Sequence, residues 1–240
     1  MASSPSPPPA APPPPLPPQP MLPPGVLFSI DVECVATGVG HHDRAVAQIG
    51  LVDDSASPVL NLYVRPPTRV YSYLEPLTGL SEDLIQGQGV PLDQAVATLR
   101  GALPPSAVLV GQNIRKDIEW LGLTEGVDYA ACIDLAGLTR VWNAQFGGYT
   151  YFGLDHTAAT WLDAGLADGE SHDAVADAAK SVRLYQHFCE LEKDPAALAA
   201  AQGKLATAPR APSFALRNPS FEGVCQGNRK TCTCGQPFFS

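Results

Sequence analysis

Residues 26–33 read Val26-Leu27-Phe28-Ser29-Ile30-Asp31-Val32-Glu33 and follow a Pro-Gly pair. A short apolar run rich in β-branched and aromatic residues after such a break predicts a buried β-strand. Because side chains alternate along a strand, Asp31 and Glu33 point to the same side. Two carboxylates on one face repel each other, and a bound cation is the usual remedy. The stretch therefore predicts a strand that delivers two acidic side chains to a cation site.

Two further acidic blocks follow along the chain. Asp117 opens an amphipathic segment, and residues 172–177 read His-Asp-Ala-Val-Ala-Asp. Hard divalent cations such as Mg²⁺ and Mn²⁺ prefer carboxylate oxygen as a ligand. The three blocks together predict a site with four carboxylates for divalent cations and a histidine as proton acceptor.

The third block leaves two geometries open. On an ideal helix Asp173 and Asp177 share a face, whereas His172 lies about 140° away from Asp177. A residue at the start of a helix can instead project away from the helical direction. In that arrangement His172 faces the site, Asp177 binds metal and Asp173 interacts favourably with the helix dipole.

The segments between the blocks predict an α/β protein with a mixed five-stranded sheet flanked by helices. Turn residues at 53–58 join the second strand to the third and indicate a meander of the first three strands. The predicted strands cover residues 26–30, 45–52, 59–64, 107–110 and 131–134. The predicted helices cover residues 81–86, 92–103, 114–121, 135–141, 154–162 and 172–191.

The ordered motifs resemble those of the DEDDh exonuclease family over roughly residues 25–192. They are Asp31-x-Glu33, Asp117 within the segment 110–121, and His172-x-Ala174-x-x-Asp177. Within that family the chain resembles the Rex-type RNA exonucleases and the interferon-induced exonuclease, at the segments 70–73, 78–80 and 133–136.

This resemblance implies a ribonuclease-H-like fold and a metal-dependent 3′-to-5′ exonuclease. The expected substrate is single-stranded nucleic acid with a free 3′ end, with RNA favoured over DNA, and the expected products are 5′-mononucleotides. The family pattern implies that two ions, Mg²⁺ or Mn²⁺, are ligated by Asp31, Glu33, Asp117 and Asp177, and that His172 is the general base. The competing interpretation is a catalytically silent nucleic-acid-binding module. The presence of all five side chains favours the enzyme.

Composition predicts three regions. Residues 1–24 hold 13 of the 25 prolines and no charged residue, which predicts a disordered, polyproline-rich tail. Residues 25–192 form the predicted exonuclease domain, and residues 193–240 a basic, cysteine-containing tail. The proline-rich tail is either a spacer or a ligand for a protein partner of the SH3 or WW type. No apolar stretch is long enough to cross a membrane.

The C-terminal tail has its own chemistry. Residues 195–240 carry a net charge of +4, although the whole chain carries −9. Cys225, Cys232 and Cys234 provide three of the four ligands of a structural Zn²⁺ site, with His187 or Cys189 as candidates for the fourth. The alternatives are reduced thiols or a redox-sensitive pair. Such unpaired cysteines indicate a reducing compartment, the nucleus or the cytoplasm.

Aromatic residues divide into two groups. The three tryptophans, at positions 120, 142 and 161, are predicted to pack helices against the core. Tyr71 and Tyr73 precede a Pro-Leu-Thr-Gly loop and could stack against a terminal base, although packing explains at least one of them.

Overall fold

The computed structural model describes residues 22–23, 25–38, 42–163, 171–212 and 217. The main sheet has five strands in the order β3-β2-β1-β4-β5. Its strands are β1 (Leu27–Ala36), β2 (Arg44–Val52), β3 (Pro58–Tyr63), β4 (Val108–Gly111) and β5 (Ala131–Asp134), and a separate hairpin contains β6 (Val141–Asn143) and β7 (Gly148–Thr150). The helices are α1 (Glu75–Thr78), α2 (Glu82–Gln88), α3 (Leu92–Ala102), α4 (Arg115–Leu121), α5 (Leu135–Thr139), α6 (Leu154–Leu162), α7 (Ala174–Leu191) and α8 (Pro195–Thr207).

The sheet is mixed, as predicted. The strands β1, β2 and β3 form an antiparallel meander, while β4 and β5 run parallel to β1. Parallel strands need a crossover, and here α4 lies in the connection between β4 and β5. The predicted α/β class with a five-stranded sheet and flanking helices is therefore confirmed.

Two hydrophobic layers cover the two faces of the sheet. Alternate residues of β4 enter different layers: Leu109 packs with α3 and α4, whereas Val110 packs with α5, α6 and α7. All four residues of β4 are buried, as expected for a central strand covered on both faces. Since hydrophobic residues cover both faces of the sheet, its ends are the places where polar side chains can lie together.

The N-terminus of α7 lies directly against β2. A Cβ atom on Gly50 would lie 2.5 Å from the carbonyl carbon of Ala174, closer than any side chain tolerates. Gly50 also pairs with Asp31 across the β1–β2 ladder. The missing side chain at position 50 therefore allows α7 to begin beside the first acidic residue of β1.

Several elements differ from the sequence prediction. Strand β1 extends six residues beyond Ile30 to Ala36, so Asp31 and Glu33 lie within the strand and not after it. Helix α7 begins at Ala174, with Asp173 as its N-cap, and not at His172. Helix α1 and the β6–β7 hairpin were not predicted, because each is too short to show a period.

Helix α8 lies in the region predicted as a tail. The Trp161 indole nitrogen donates to the carbonyl of Ala201 at 3.0 Å, and Leu205 is fully buried. The sequence missed this helix because its small apolar residues show no clear polar face. Its packing on α6 and α7 extends the folded body to about residue 207.

Other predictions fall outside the described residues. These are the three clustered cysteines with their predicted Zn²⁺ site, and the proline-rich tail apart from Leu22 and Pro23. Within the described part of the chain, no helix combines the length and the apolar character that crossing a membrane requires.

We expect Gly50→Ala to destabilise the protein by about 1–3 kcal/mol, because the added methyl group would push the start of α7 away from β2. Gly101→Ala is the matched control. Its Cβ atom would meet open space in α3, and an alanine in a helix should stabilise by about 0.5–1 kcal/mol. Urea unfolding of both variants measures the difference. Equal stability of the two variants would show that α7 can shift without cost.

Candidate active site

The first two acidic side chains come from β1. Asp31 and Glu33 are partly buried and separated by the buried Val32. The β1–β2 register shifts directly after Glu33, because Glu33 pairs with Gln48 and Cys34 pairs with Val46. Such a bulge changes the local twist of a strand and re-aims the side chains next to it. The predicted placement of both acids on one side of the strand agrees with this burial pattern.

The third acidic side chain comes from α4. Asp117 lies in the first turn of that helix and is only 8% exposed. The helix N-terminus offers free backbone N–H groups and a positive dipole end, which both favour a carboxylate. Helix α4 thereby brings Asp117 towards the same end of the sheet from the face opposite α7.

The start of α7 places the last two residues. Asp173 caps the helix, its Oδ1 accepting from the N–H of Ala176 at 2.9 Å. The buried Gln48 side chain donates to Asp173 Oδ2 at 2.8 Å. The N–H of His172 donates to the carbonyl of Leu77 at 2.7 Å. The chain direction therefore changes at the cap, which resolves the open geometry: Asp173 faces β2, and His172 projects towards Asp177.

Four side chains form a closed ring of polar contacts at this point. His172 Nδ1 lies 2.9 Å from Asp177 Oδ2, and His172 Nε2 lies 3.6 Å from Asp155 Oδ2. The Lys180 ammonium donates to Asp177 Oδ1 at 2.7 Å and to Asp155 Oδ1 at 3.0 Å. Both carboxylates thus give one oxygen to the lysine and the other to the histidine.

Burial and mutual repulsion shift the ionisation of the acids. Burial raises the pKa of Asp31 well above its ordinary value, and the charges of Asp117, Glu33 and Asp177 raise it further. Burial likewise raises the pKa of Glu33 to about 8 and the pKa of Asp117 to about 7. The carboxylates of Asp31, Glu33, Asp117 and Asp177 therefore lie within electrostatic range of one another. The positive charge nearby does not balance their negative charge.

Asp177 is the exception in this cluster. Burial alone would raise its pKa, but hydrogen bonds and charges from His172 and Lys180 hold that pKa below its ordinary value. The hydrogen bond to Asp177 correspondingly raises the pKa of His172. Asp177 is therefore ionised and already paired, whereas the other carboxylates need a further cation.

The cluster has the chemistry of a divalent cation site. Among the described residues, ligand atoms of Glu33, His172 and Asp177 lie within 4.8 Å of one another. Asp31 and Asp117 add carboxylate oxygens within electrostatic reach. Oxygen-rich ligand sets of this kind fit Mg²⁺ or Mn²⁺ better than softer metals.

A hollow of about 400 Å³ borders the cluster. Glu33, Leu77, Lys116 and Trp120 are among its lining residues. Trp120 is 39% exposed, so the prediction that it packs into the core was wrong, whereas Trp161 is buried as predicted. An exposed indole beside the Lys116 ammonium, 5.9 Å from the ring centre, is a surface suited to an aromatic ring and a phosphate.

Sequence reasoning missed two residues of the site. Lys180 follows Asp177 by three positions on one helix, and this spacing was a usable signal of an ion pair. Asp155 gave no such signal, because it reaches His172 only through the packing of α6 against α7.

Of the two tyrosines that could stack against a base, Tyr71 is 53% exposed, and Tyr73 packs against the small core around Val35 and Leu80.

The chain is similar to known proteins in sequence and in fold. No family model matches the chain. RNA exonuclease 5 of Rattus norvegicus is 24% identical over 163 residues, covering 68% of this chain and 20% of that protein. Small RNA degrading nuclease 3 of Arabidopsis thaliana is 26% identical over 173 residues, covering 72% and 21%. RNA exonuclease 4 of Gibberella zeae is 24% identical over 163 residues, covering 68% and 49%.

Solved structures agree in fold. The Pan2 catalytic unit of Neurospora crassa superposes with a TM-score of 0.62 at 15% identity, covering 78% of this chain and 30% of that one. The Pan2 exonuclease module of Saccharomyces cerevisiae in complex with AAGGA RNA gives a TM-score of 0.60 at 16% identity, covering 76% and 32%. This likeness confirms the predicted ribonuclease-H-like fold.

The chain is similar in sequence to proteins named RNA exonucleases and small RNA degrading nucleases, and in fold to the Pan2 structures. The resemblance seen in the three ordered motifs is thereby confirmed in sequence and fold. The matched region spans only 20% of RNA exonuclease 5 and 49% of RNA exonuclease 4. These relatives are therefore longer than the region that matches this chain.

We expect the metal-free protein to lose stability as the pH rises from about 4.5 to 8. The ordinary pKa values of Glu33 and Asp117 are 4.5 and 3.8, and in the folded protein they are about 8 and 7. Between these limits the folded state holds more protons than the unfolded state, so raising the pH favours unfolding. The raised pKa of His172 acts in the same direction.

Urea unfolding in EDTA at several pH values measures this dependence. Glu33→Gln should flatten the curve, because the amide does not ionise. Glu190→Gln is the control, since the Glu190 side chain is 71% exposed in a surface ion pair. Stability that rises between pH 5 and pH 8 would contradict the burial of protonated carboxyls at this site.

Proposed function

We propose that this protein is a metal-dependent 3′-to-5′ exoribonuclease that releases 5′-mononucleotides. The observation that carries the proposal is the convergence of Asp31, Glu33, Asp117, Asp177 and His172 at one end of the sheet. The relatives named RNA exonucleases support RNA as the substrate. Pan2 modules with the same fold have been captured with RNA.

The acidic residues would hold two divalent cations, Mg²⁺ or Mn²⁺. One ion would be ligated by Asp31, Glu33 and Asp177, and the second by Asp31 with help from Asp117. When bound, such ions activate water and offset the charge on the leaving 3′ oxygen. The raised pKa values of Glu33 and Asp117 support this, because a bound cation would stabilise their ionised forms against burial.

His172 would act as the general base. Its ring lies at the edge of the carboxylate cluster and is about a quarter exposed, so a water molecule can reach it. A neutral imidazole can take a proton from that water and return it to solvent. The bond between His172 Nδ1 and Asp177 must then open, which frees the ring nitrogen and the carboxylate oxygen together.

The shape of the site favours a single-stranded 3′ end. The hollow beside Glu33 has room for a terminal nucleotide, and Trp120 with Lys116 can contact its base and phosphate. A duplex would have to fray before its last phosphate could reach buried carboxylates such as Asp117. Recognition would therefore rest on stacking and sugar hydroxyls, and a DNA strand with a free 3′ end would be the poorer substrate.

A catalytically silent nucleic-acid-binding module is the second candidate. It explains the fold equally well but gives no reason for burying four carboxylates where a polyanion must bind.

The exonuclease proposal has three further parts. They are Zn²⁺ binding by the C-terminal cysteines, a protein partner for the proline-rich segment, and a nuclear or cytoplasmic location.

Replacing Asp31, Glu33, Asp117 or Asp177 with Ala should abolish digestion of a 5′-labelled oligoribonucleotide in Mg²⁺ or Mn²⁺. The loss follows from removal of a cation ligand. The fold should persist in the Asp31, Glu33 and Asp117 variants because each change relieves repulsion, whereas Asp177→Ala also removes the partner of Lys180 and should lower stability. Glu190→Ala is the control on the exposed end of α7. A ladder that shortens from the 3′ end, with mononucleotide products, would establish direction. Full activity in any two of the four variants would overturn the assignment.

His172→Ala should lower kcat by about 10²- to 10⁴-fold while metal binding persists. Single-turnover digestion at saturating Mn²⁺ measures the rate, and calorimetric titration with Mn²⁺ measures the binding. A variant that loses metal affinity but recovers normal turnover at high Mn²⁺ would identify His172 as a ligand instead of a base.

A further inference from the structure

Asp155 and Lys180 lie beside the proposed catalytic histidine but belong to neither the acidic motifs nor the hollow. Asp155 is in the first turn of α6, and Lys180 lies in the second turn of α7. The Lys180 side chain is only 12% exposed. Removing an ammonium group from water is energetically costly unless a carboxylate pairs with it. The burial of Lys180 must therefore be compensated by ion pairs.

The pairing of Lys180 is symmetrical. It donates to Asp177 Oδ1 at 2.7 Å and to Asp155 Oδ1 at 3.0 Å. The remaining oxygen of each carboxylate, Oδ2, is the one that faces the His172 ring. One ammonium therefore fixes the rotation of two carboxylates, and both present their free oxygen to the same imidazole.

The two contacts of the histidine are unequal. The contact to Asp177 is 2.9 Å long, whereas that to Asp155 is 3.6 Å. A cation ligated by Asp177 would compete with His172 for the carboxylate, so the shorter contact is the one that metal binding removes. Asp155 is then the carboxylate still within reach of the ring.

A general base of this kind needs a fixed tautomer. One ring nitrogen can accept a proton from water only if the other carries its proton, and an acceptor carboxylate holds that N–H in place. Asp155 can supply this acceptor, and Lys180 keeps its carboxylate turned towards the ring. The Lys180 bond also leaves Asp177 Oδ2 available to the cation.

We propose that Asp155 and Lys180 are positioning residues, which hold His172 in the orientation and tautomer required for proton transfer when a divalent cation occupies Asp177. The inference rests on the proposed function, because Asp155 and Lys180 would position His172 in this way only for phosphodiester hydrolysis. It assigns no direct contact with the substrate to either residue.

The test uses Asp155→Asn, Lys180→Met and Lys180→Arg in the full chain. At saturating Mn²⁺ the first two should lower kcat on an oligoribonucleotide by about 10- to 100-fold, because the base is misplaced. The KM should stay within about twofold of the original value. Lys180→Arg should recover part of the rate, since guanidinium can still bridge two carboxylates.

Lys193→Met is the matched control. Lys193 also pairs with an acid three residues earlier, Glu190 at 2.7 Å, but both side chains are largely exposed. This variant should keep its kcat. Thermal unfolding of every variant distinguishes a loss of folded structure from misplacement of the His172 ring.

A second measurement does not depend on activity. Nitrogen-15 spectra of the histidine rings, assigned with His172→Gln, report the tautomer of His172 in the presence of Mg²⁺ alone. We expect one tautomer in the original protein and a mixture in Asp155→Asn. If the original protein digests no oligonucleotide, the proposed function fails, while these spectra still decide whether the pair holds the ring.

Two results would overturn the positioning role. One is an Asp155→Asn variant with normal kcat and an unchanged His172 spectrum. The other is a Lys180→Met variant whose rate recovers fully as Mn²⁺ is raised. That recovery would show that the lysine acts only on cation binding by Asp177.

Discussion

Buried negative charge is the constraint around which this site is built. Asp117 and Asp177 are both less than a tenth exposed, and Asp31 and Glu33 lie partly buried on the strand between them. Removing carboxylates from water beside one another is unfavourable, so the fold has to supply compensation. It supplies one ammonium and one imidazole, both directed at Asp177. For the other three carboxyls burial outweighs the nearby positive charge, so their pKa values are raised, and a cation beside them would be stabilising.

The approach of α7 to the sheet makes this arrangement possible. Gly50 leaves room for the helix start, and Gln48, two residues earlier on β2, accepts from the Ala174 N–H at 3.3 Å and donates to Asp173. A side chain at position 50 or an apolar residue at position 48 would loosen the same contact. Sheet packing and site geometry therefore depend on one short stretch of β2, although that stretch contributes no proposed ligand or base.

The five-stranded sheet and the positions of Asp31 and Glu33 on β1 could be predicted from the sequence, because each depends on a local sequence pattern. Alternation along β1 placed Asp31 and Glu33 on one side, and the turn at residues 53–58 gave the meander. The partnership of His172, Asp155 and Lys180 depends on how α6 packs against α7, which no local pattern encodes. Helix α8 escaped for a different reason: a run of small apolar residues has no period that distinguishes helix from coil.

The acidic character of the chain is compatible with a polyanionic substrate. Part of the net charge of −9 is the carboxylate cluster itself, and two divalent cations would offset its four charges. The approach to the cluster is not acidic throughout, because Arg44 and Lys116 line the same hollow as Glu33. Attraction of a phosphate would therefore arise locally, from these two side chains and from the bound cations, since bulk charge describes non-specific attraction better than a specific contact. Under the proposed function, metal binding and substrate binding would in this way be coupled by charge, before any chemistry takes place.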